Sequence, residues 1–203
     1  MQAVRGHILR EPPPRPAAAS TAGSGHPQGP ALSRLVQALA AAAIGDTFNQ
    51  YADSALRCAR LDAYLELRRG APILLVGEAA GYRGARVSGL PFTSERQLTG
   101  AGPAEATATI AHRVLGELGL EEDVLLWNVV PTHPHRPRDE RSNRAPTRDE
   151  VEAARPFLAE LAHGRRVVAV GRLAEREVGP PAIRHPSHGG AAEFAAGLAA
   201  LLA

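Results

Sequence analysis

Residues 72–79, PILLVGEA, decide the fold of this chain. They overlap with, and lead into, the segment of residues 77–94, GEAAGYRGARVSGLPFTS. The apolar run is short and uninterrupted, which is typical of a strand that is buried on both faces of a sheet. The segment after it combines glycines, arginines and isolated aromatic rings, and such a loop lets the backbone approach a ligand closely. The stretch therefore predicts a buried strand that ends at a binding site.

Buried strands alternate with amphipathic helices along the rest of the chain. The predicted strands cover residues 72–79, 123–130, 166–171 and the beginning of residues 182–190. The predicted helices cover residues 31–45, 54–70, 105–119, 147–161 and 191–203. Ser33 is a candidate N-cap for the first helix and Gly45 its stop, and Thr147 forms a capping box with Glu150. This alternation predicts an α/β fold, a three-layer α/β/α sandwich with a central, mainly parallel four-stranded sheet.

Length and composition favour one folded domain. A chain of 203 residues with 44% hydrophobic residues is long enough for one sizeable core and short for two. Residues 1–30 are rich in Pro, Ala, Ser and Gly without an apolar period, so we expect a disordered tail there and a single domain over residues 31–203. The N-terminus has no apolar core of signal-peptide type and no run approaches the length of a membrane span, which predicts a soluble, cytoplasmic protein, and we expect a monomer.

The basic residues and the single cysteine exclude several chemistries. All 23 basic residues are arginine, for which codon bias is the simpler explanation, and the formal net charge is +2. Without lysine the chain has no phosphate-loop Gly-Lys-Ser/Thr and no Schiff-base lysine. Cys58 stands alone, so it supplies neither an intramolecular disulfide nor a four-cysteine zinc or iron–sulfur site. The composition does not exclude an anionic partner, because the planar guanidinium group of arginine suits phosphate groups.

Polar loops follow the predicted strands, and ligands of parallel sheets bind beyond the carboxyl ends of the strands. Residues 77–94, 128–146 and 185–190 should therefore converge on one cleft. Asn128 interrupts an apolar strand, where an unpaired amide is costly, so it either binds a ligand or caps neighbouring backbone. Phe92 is either a hydrophobic plug or a ring that stacks on a planar ligand. The loops thus supply hydrogen-bonding groups, an aromatic ring and cations to one place.

The histidines of these loops allow a competing interpretation. HPH at residues 133–135 and HPSH at residues 185–188 have the spacing of metal ligands. However, a proline intervenes in both, neither contains Asp or Glu, and no thiolate accompanies them, so His133 and His135 are equally compatible with simple surface groups. The glycine spacing Gly-x-x-x-Gly-x-x-Gly, with Glu78 where an anion would be repelled, disfavours dinucleotide binding. We therefore expect no metal and no cofactor.

The order of the motifs resembles the uracil-DNA glycosylase superfamily. GEAAG follows the first strand, GLPF lies a few residues later, LLWNVVP carries the asparagine, NRAPT precedes a helix and HPS follows the last strand. Each motif alone is loose, but their order and their placement at strand ends make the combination specific. The resemblance covers about residues 72–190. It implies a DNA repair glycosylase that flips uracil out of DNA and hydrolyses its N-glycosidic bond.

The resemblance implies a role for each matching residue. Glu78 would be a catalytic residue that assists the attacking water, and His185 would be a catalytic residue that hydrogen-bonds the uracil O2. Phe92 would stack on the uracil and Asn128 would read its amide edge. The substrate-binding residues implied in this way are Gly77, Ala79, Gly81, Tyr82, Phe92 and Asn128. The residues expected to contact the DNA are Arg83, Arg86, Arg144, Ser187, His188 and Gly189.

Several positions depart from the best-known branch of that superfamily. Ala79 stands where that branch has a catalytic Asp, and Gly81 stands where it has a Tyr that blocks the thymine methyl group. Glu78 would then take over water activation and Tyr82 the steric gate. The cluster-binding cysteines of the iron–sulfur branches are absent, which predicts a cluster-free member. Since no lysine can form a Schiff base, we predict a monofunctional enzyme that leaves an abasic site in uracil-containing DNA.

Two alternatives stay open at this point. Ala79 is also compatible with a slow or non-catalytic protein that binds uracil or abasic DNA. The clustered histidines are compatible with a metal-dependent hydrolase.

Overall fold

The computed structural model describes residues 33–201, and the tail predicted for residues 1–30 lies outside this range. The strands are β1 (Ile73–Ala79), β2 (Val124–Val130), β3 (Arg166–Val170) and β4 (Ala182–Ile183). They form one sheet in the order β2-β1-β3-β4, and every neighbouring pair is parallel. The predicted four-stranded parallel sheet is confirmed.

Helices flank this sheet. Within residues 33–201 they are α1 (Arg34–Ala41), α2 (Ala55–Leu67), α3 (Ala85–Ser88), α4 (Glu95–Thr99), α5 (Ala106–Glu117), α6 (Arg148–Ala162), α7 (Arg172–Val178) and α8 (Ala191–Ala200). Helix α6 packs against β2, α7 against β1 and β3, and α8 against β4. The sheet between helices confirms the predicted α/β architecture. No helix in the described residues is long and apolar enough to cross a membrane.

Helix α1 begins as predicted but ends earlier. The Ser33 hydroxyl accepts a hydrogen bond from the Val36 N–H at 3.4 Å, as expected of an N-cap. The helix stops at Ala41, so the prediction that Gly45 ends it is wrong. Asn49 Nδ2 donates to the carbonyl oxygens of Leu39 at 2.8 Å and Ala42 at 3.0 Å. Because these carbonyl groups are satisfied by a side chain, the chain leaves the helix without a glycine.

The capping box of α6 is present. Thr147 Oγ1 accepts from the Glu150 N–H at 3.2 Å, and the Thr147 N–H donates to Glu150 Oε2 at 2.8 Å. These reciprocal bonds satisfy two backbone donors at the start of the helix and fix where the preceding loop ends.

Two polar residues of the sheet, Glu78 and Asn128, lie near the carboxyl ends of their strands. Every residue of β2 is buried, and Trp127 is fully enclosed by the core. Gly77 of β1 lies opposite Asn128 of β2 in the parallel register, near the carboxyl ends of both strands. The loops that follow the strands therefore leave the sheet on the same side, at the carboxyl ends of the strands.

Candidate functional site

The loops that follow the carboxyl ends of the strands surround a cleft of about 970 Å³. The predicted site residues that line it are Glu78, Ala79, Gly81, Phe92, Asn128, Arg144, His185, Ser187 and His188. The predicted site residues that do not line it are Gly77, Tyr82, Arg83, Arg86 and Gly189. Residues from all three loops thus share one cleft.

The Phe92 ring lies directly against Gly77 at the end of the sheet. A Cβ atom at position 77 would lie 2.7 Å from Phe92 Cε2 and 2.9 Å from Asn128 Oδ1. Any side chain at this position would displace the ring or the amide, so the close approach requires glycine. Gly77 itself does not line the cleft, but its missing side chain lets the Phe92 ring and the Asn128 amide come together at the cleft wall.

The loop that carries Phe92 is held in an unusual conformation. Phe92 has a φ of 51°, a left-handed value that non-glycine residues rarely adopt. Ser88 Oγ donates to the Thr93 carbonyl at 2.6 Å and accepts from the Leu90 N–H at 3.0 Å. Thr93 Oγ1 is 3.0 Å from His112 Nε2, and burial lowers the pKa of His112 to about 4. These contacts hold a backbone strain of the kind found at functional sites.

The Asn128 side chain is buried without a partner. It is 4% exposed, yet its amide forms no hydrogen bond with any residue of the described range 33–201. It therefore does not cap neighbouring backbone, which was one of the two interpretations of its position. Its amide atoms are not among the fully enclosed polar atoms of residues 33–201 that lack a partner, so they keep contact with the cleft. Its acceptor oxygen and its two N–H donors remain available at the wall of the cleft.

His185 is held in one tautomer by its own loop. Its Nδ1 accepts the Ser187 N–H at 3.2 Å and is 2.7 Å from Ser187 Oγ. A ring nitrogen that accepts a backbone N–H carries no proton, so the proton of the neutral ring lies on Nε2. Burial lowers the pKa of His185, and the charges of Arg184 and His188 lower it further. The cleft is therefore lined by a neutral imidazole whose Nε2–H is a free donor among residues 33–201.

Glu78 is a partly buried carboxyl group at the end of β1. Burial raises its pKa, and the positive charge of Arg176 offsets part of that effect. Its carboxyl oxygens have no hydrogen-bond partner within residues 33–201. A carboxyl group of this kind can accept a proton from a water molecule more readily than a fully solvated one.

Tyr82 and Arg83 lie beside the cleft. The Tyr82 N–H donates to Asn143 Oδ1 at 3.1 Å, which joins the GEAAG loop to the loop before α6. The Arg83 guanidinium lies 5.2 Å from the centre of the Tyr82 ring. No carboxylate within the described residues pairs with Arg83, so its charge is free for an external anion.

Arg86 and Arg144, by contrast, are paired within the protein. Arg86 Nη2 donates to Glu140 Oε2 at 2.8 Å. Arg144 contacts both carboxyl oxygens of the buried Glu150, at 2.7 Å and 2.5 Å, and its Nε donates to the His135 carbonyl at 2.7 Å. Both arginines therefore position loops, whatever they also contribute to ligand binding.

The histidines after β2 are part of the same loop support. His133 is fully buried, with Nδ1 2.7 Å from the Ala80 carbonyl oxygen and Nε2 3.0 Å from the Glu140 carbonyl oxygen. Its ring stacks on that of His135. Across residues 33–201, no group of three or more His, Cys, Asp or Glu side chains could hold a metal ion. The metal-hydrolase alternative thus has no site in this part of the chain.

The loop after β4 is exposed at His188 and Gly189. Ser187 Oγ is also 2.9 Å from His188 Nδ1, and His188 has a left-handed φ of 52°. Gly189 follows with a φ of 79°. Two successive residues in this conformation turn the loop sharply at the opening of the cleft.

The cleft includes polar residues that the sequence analysis did not single out. Among them are Glu105, Thr107, Asn143, Arg172, Glu175 and Arg184. Arg172 and Arg184 follow β3 and β4 closely, so the rule about carboxyl ends of strands predicts their position. Glu105 precedes helix α5 and has no such signal, because its place depends on how α5 packs against the GEAAG loop.

Comparisons with known proteins agree with this fold. A family model described as the uracil DNA glycosylase superfamily matches residues 66–197, a range that contains all four strands and every residue that lines the cleft. The crystal structure of wild-type SMUG2 from Pedobacter heparinus has a similar fold, with a TM-score of 0.61 at 12% sequence identity. That similarity covers 83% of this chain and 96% of the SMUG2 chain. No curated protein sequence matches the chain.

Proposed function

The chain belongs to the uracil DNA glycosylase superfamily, and from this membership we propose that it removes uracil from DNA and leaves an abasic site. Membership makes it a DNA glycosylase, an enzyme that cleaves an N-glycosyl bond. The observation that carries the choice of uracil is the buried Asn128 amide, which has no partner in residues 33–201 and lies beside the Phe92 ring.

Base flipping explains why the site is a cleft at the surface. The reacting atom is C1′ of the nucleotide, and a stacked base denies access to it, so the nucleotide has to leave the duplex. Phe92 then offers one face of its ring to the extruded base. Stacking on an aromatic side chain stabilises a bound base by about 1–3 kcal/mol without reading its sequence. The rigid loop around Phe92 keeps this platform in place.

Asn128 supplies the base specificity in this proposal. Uracil presents an N3–H donor next to an O4 acceptor, and one Asn amide pairs with both through its Oδ1 and Nδ2. Cytosine presents an acceptor at N3 and a donor at its exocyclic amine, so the same fixed amide would be mispaired on at least one side. Because the amide has no protein partner in residues 33–201, its oxygen and both of its N–H groups are available to the base.

His185 stabilises the leaving group. Cleavage of the glycosidic bond places negative charge on the departing uracil, largely on its carbonyl oxygens. The neutral His185 ring can donate its Nε2–H to the O2 atom in a site with little water, which is how an oxyanion hole works. The bond from the Ser187 N–H to Nδ1 at 3.2 Å keeps the donor proton on the correct nitrogen.

Glu78 acts on the water in place of an aspartate at position 79. The sugar becomes oxocarbenium-like as the bond breaks, and a carboxylate nearby stabilises that charge and accepts a proton from the attacking water. Ala79 itself has no group that can do either. The chain has no lysine to form a side-chain Schiff base, so the reaction stops at hydrolysis and the abasic strand stays intact.

Contacts to the DNA backbone come from the residues that surround the cleft. Arg83, Arg172 and Arg184 have no carboxylate partner among residues 33–201. Each arginine that neutralises a phosphate releases a counterion and steepens the dependence of affinity on salt. The loop at residues 187–189, which is exposed at His188 and Gly189, presses on the strand from which the base has left.

An excision assay tests the proposal. The full chain is incubated with a labelled oligonucleotide that contains one uracil, and the product is treated with alkali before electrophoresis. We expect alkali-dependent cleavage at the uracil, unchanged by EDTA, and no cleavage without alkali. The same oligonucleotide with cytosine at that position should remain intact.

Each other outcome of the assay points to a different function. A stable complex without product would indicate a binding protein, which is the alternative that Ala79 supports. Strand cleavage without alkali would contradict the monofunctional mechanism. Loss of activity in EDTA would indicate a metal-dependent reaction.

A further inference from the structure

Glu105 is a carboxyl group in the cleft to which the proposed mechanism gives no role. It lines the same cavity as Glu78 and Asn128, just before helix α5. Its carboxyl oxygens accept no hydrogen bond and form no ion pair within residues 33–201. Burial raises its pKa. An unpaired, partly buried carboxyl group that faces a cavity is unusual and calls for a functional explanation.

Two glycines make room for this carboxyl group. A Cβ atom at Gly84 would lie 2.8 Å from Glu105 Cδ, and one at Gly81 would contact Glu105 Oε1 directly. The Glu105 carboxyl therefore fills the space that a side chain at position 81 would need. Tyr82, the next residue, does not line the cavity. The wall of the cleft beside Gly81 is thus formed by the Glu105 side chain.

The proposed contacts leave one edge of the bound base without a neighbour. Phe92 covers a face of the ring, Asn128 takes the N3–H and O4 edge, and His185 takes O2. The remaining edge consists of C5–H and C6–H. Three carboxyl groups that line the cavity, those of Glu78, Glu105 and Glu175, have no partner in residues 33–201. Glu78 is assigned to the water at C1′, and of the other two Glu105 is the one that lies against Gly81.

Resting on the proposed function, we infer that Glu105 closes the pocket at the C5 edge of the base and thereby excludes thymine. A carboxyl oxygen can accept a weak hydrogen bond from the polarised C5–H or C6–H of uracil. The methyl group of thymine would occupy the position of the carboxyl group and strip it of water without offering a hydrogen bond in return. Glu105 is therefore a specificity-determining residue and takes no part in the chemical step.

Single-turnover excision rates for uracil and for thymine, each opposite guanine, test this inference. Glu105→Ala opens the wall, so we expect the ratio of uracil rate to thymine rate to fall by about 10–100-fold, the range for one methyl group in a pocket. Glu105→Gln keeps the size of the side chain, and its ratio should stay within about threefold of the wild-type value. Glu105→Asp is shorter by one methylene group and should give an intermediate ratio even if the alanine variant folds poorly.

Glu175→Ala is the matched control, because it removes a different carboxylate that lines the same cleft. Its ratio should equal that of the wild type. An unchanged ratio in both Glu105→Ala and Glu105→Asp, or an equal fall in Glu175→Ala, would overturn the inference while the proposed function stands.

A binding measurement separates this inference from the proposed function. If the wild-type protein excises no uracil, the proposed activity fails, and affinity is then measured for DNA that carries a non-cleavable 2′-fluoro-2′-deoxyuridine or its 5-methyl counterpart. Wild-type preference for the unmethylated base that disappears in Glu105→Ala supports the role of Glu105. Equal affinity of the wild-type protein for both bases refutes it.

Discussion

Asn128 and Glu150 lie at the two ends of the same loop, one in β2 and the other in α6, and they are 4% and 1% exposed. Glu150 accepts hydrogen bonds from Arg144 Nη1 at 2.7 Å and from the Thr147 N–H at 2.8 Å. Asn128 has no partner in residues 33–201. Burial alone therefore does not distinguish a structural polar residue from one that faces a ligand, whereas the presence or absence of partners does.

The two residues should respond differently to substitution. Glu150 and Arg144 tie the loop after β2 to helix α6, and removal of one member of a buried ion pair leaves an uncompensated charge. Asn128 stabilises nothing in the free protein through its amide, since that amide is unsatisfied. Loss of the Glu150 carboxylate should reduce folding stability, and loss of the Asn128 amide should reduce activity.

The largest effect is expected for Asn128→Ala. Uracil excision should fall on the order of 10⁴-fold, because the polar edge of the bound uracil would have no partner. The free energy of unfolding should not decrease by more than about 0.5 kcal/mol, since no hydrogen bond within residues 33–201 is lost and the residue borders an open cleft. Rates in single turnover and unfolding in urea measure the two quantities on the same preparation.

Asn49→Ala is the control for this variant, because Asn49 is an asparagine whose amide is fully used. Its Nδ2 donates to Leu39 O and Ala42 O, and its Oδ1 accepts the Tyr51 N–H at 3.0 Å. This variant should lose about 1–3 kcal/mol of stability and keep its excision rate per folded molecule. If Asn128→Ala excised uracil at the wild-type rate, Asn128 would not be part of the base pocket.

His185 shares features with both Glu150 and Asn128, because its Nδ1 is hydrogen-bonded to Ser187 whereas its Nε2 has no partner in residues 33–201. We expect His185→Ala to slow excision by about 10²–10³-fold through loss of the donor to the leaving group. His163→Ala, at the exposed end of α6, should not change the rate. An undiminished rate in His185→Ala would contradict its role in catalysis.

The sheet and the principal loops could be predicted from sequence because their signals are local. The apolar runs of β1 and β2 specify buried strands, and the Thr147 and Glu150 pair specifies the start of α6. The rule that ligands bind beyond the carboxyl ends of parallel strands then brings Asn128 and His185 together. Each of these inferences needs only neighbouring residues and a general rule of topology.

Other features depend on contacts between distant residues and could not be predicted in this way. Helices α3, α4 and α7 are too short to be stable alone, so their positions follow from packing. The end of α1 depends on Asn49, and the place of Glu105 depends on the space left by Gly81 and Gly84. The missing partner of Asn128 is likewise visible only when its surroundings are known.

A smaller effect, on stability, is expected for Glu150→Ala. The free energy of unfolding should fall by about 2–4 kcal/mol, toward the lower end of the range for buried pairs because the Arg144 side chain is 23% exposed. Urea unfolding measures the change. Glu152→Ala on the same helix breaks an exposed pair with Arg155 and should cost no more than about 0.5 kcal/mol. Equal losses in the two variants would show that burial of the pair is unimportant.

The smallest effect is a difference in the sign of pH dependence between paired and unpaired carboxyl groups. Burial alone would raise the pKa of Glu150, but the hydrogen bonds from Arg144 and Thr147 outweigh it and leave this pKa below its ordinary value of 4.5. The stability that Glu150 contributes is therefore complete above pH 4.5 and is lost as the pH falls through its lowered pKa. Burial raises the pKa of Glu78 instead, so the folded state takes up a proton first and gains stability as the pH falls toward 4.5.

The variants Glu150→Gln and Glu78→Gln separate these two contributions. At pH 7 we expect Glu150→Gln to unfold at a lower temperature than the wild type and Glu78→Gln to unfold at the same or a slightly higher temperature, by no more than about 2–4 °C. Both differences should shrink as the pH is lowered from 7 to 3, because protonation removes the charge that each substitution removes. Thermal unfolding followed by circular dichroism measures them. Differences of the same sign would mean that Glu78 is paired in solution, and its position as an unpaired carboxyl group in the cleft would then be wrong.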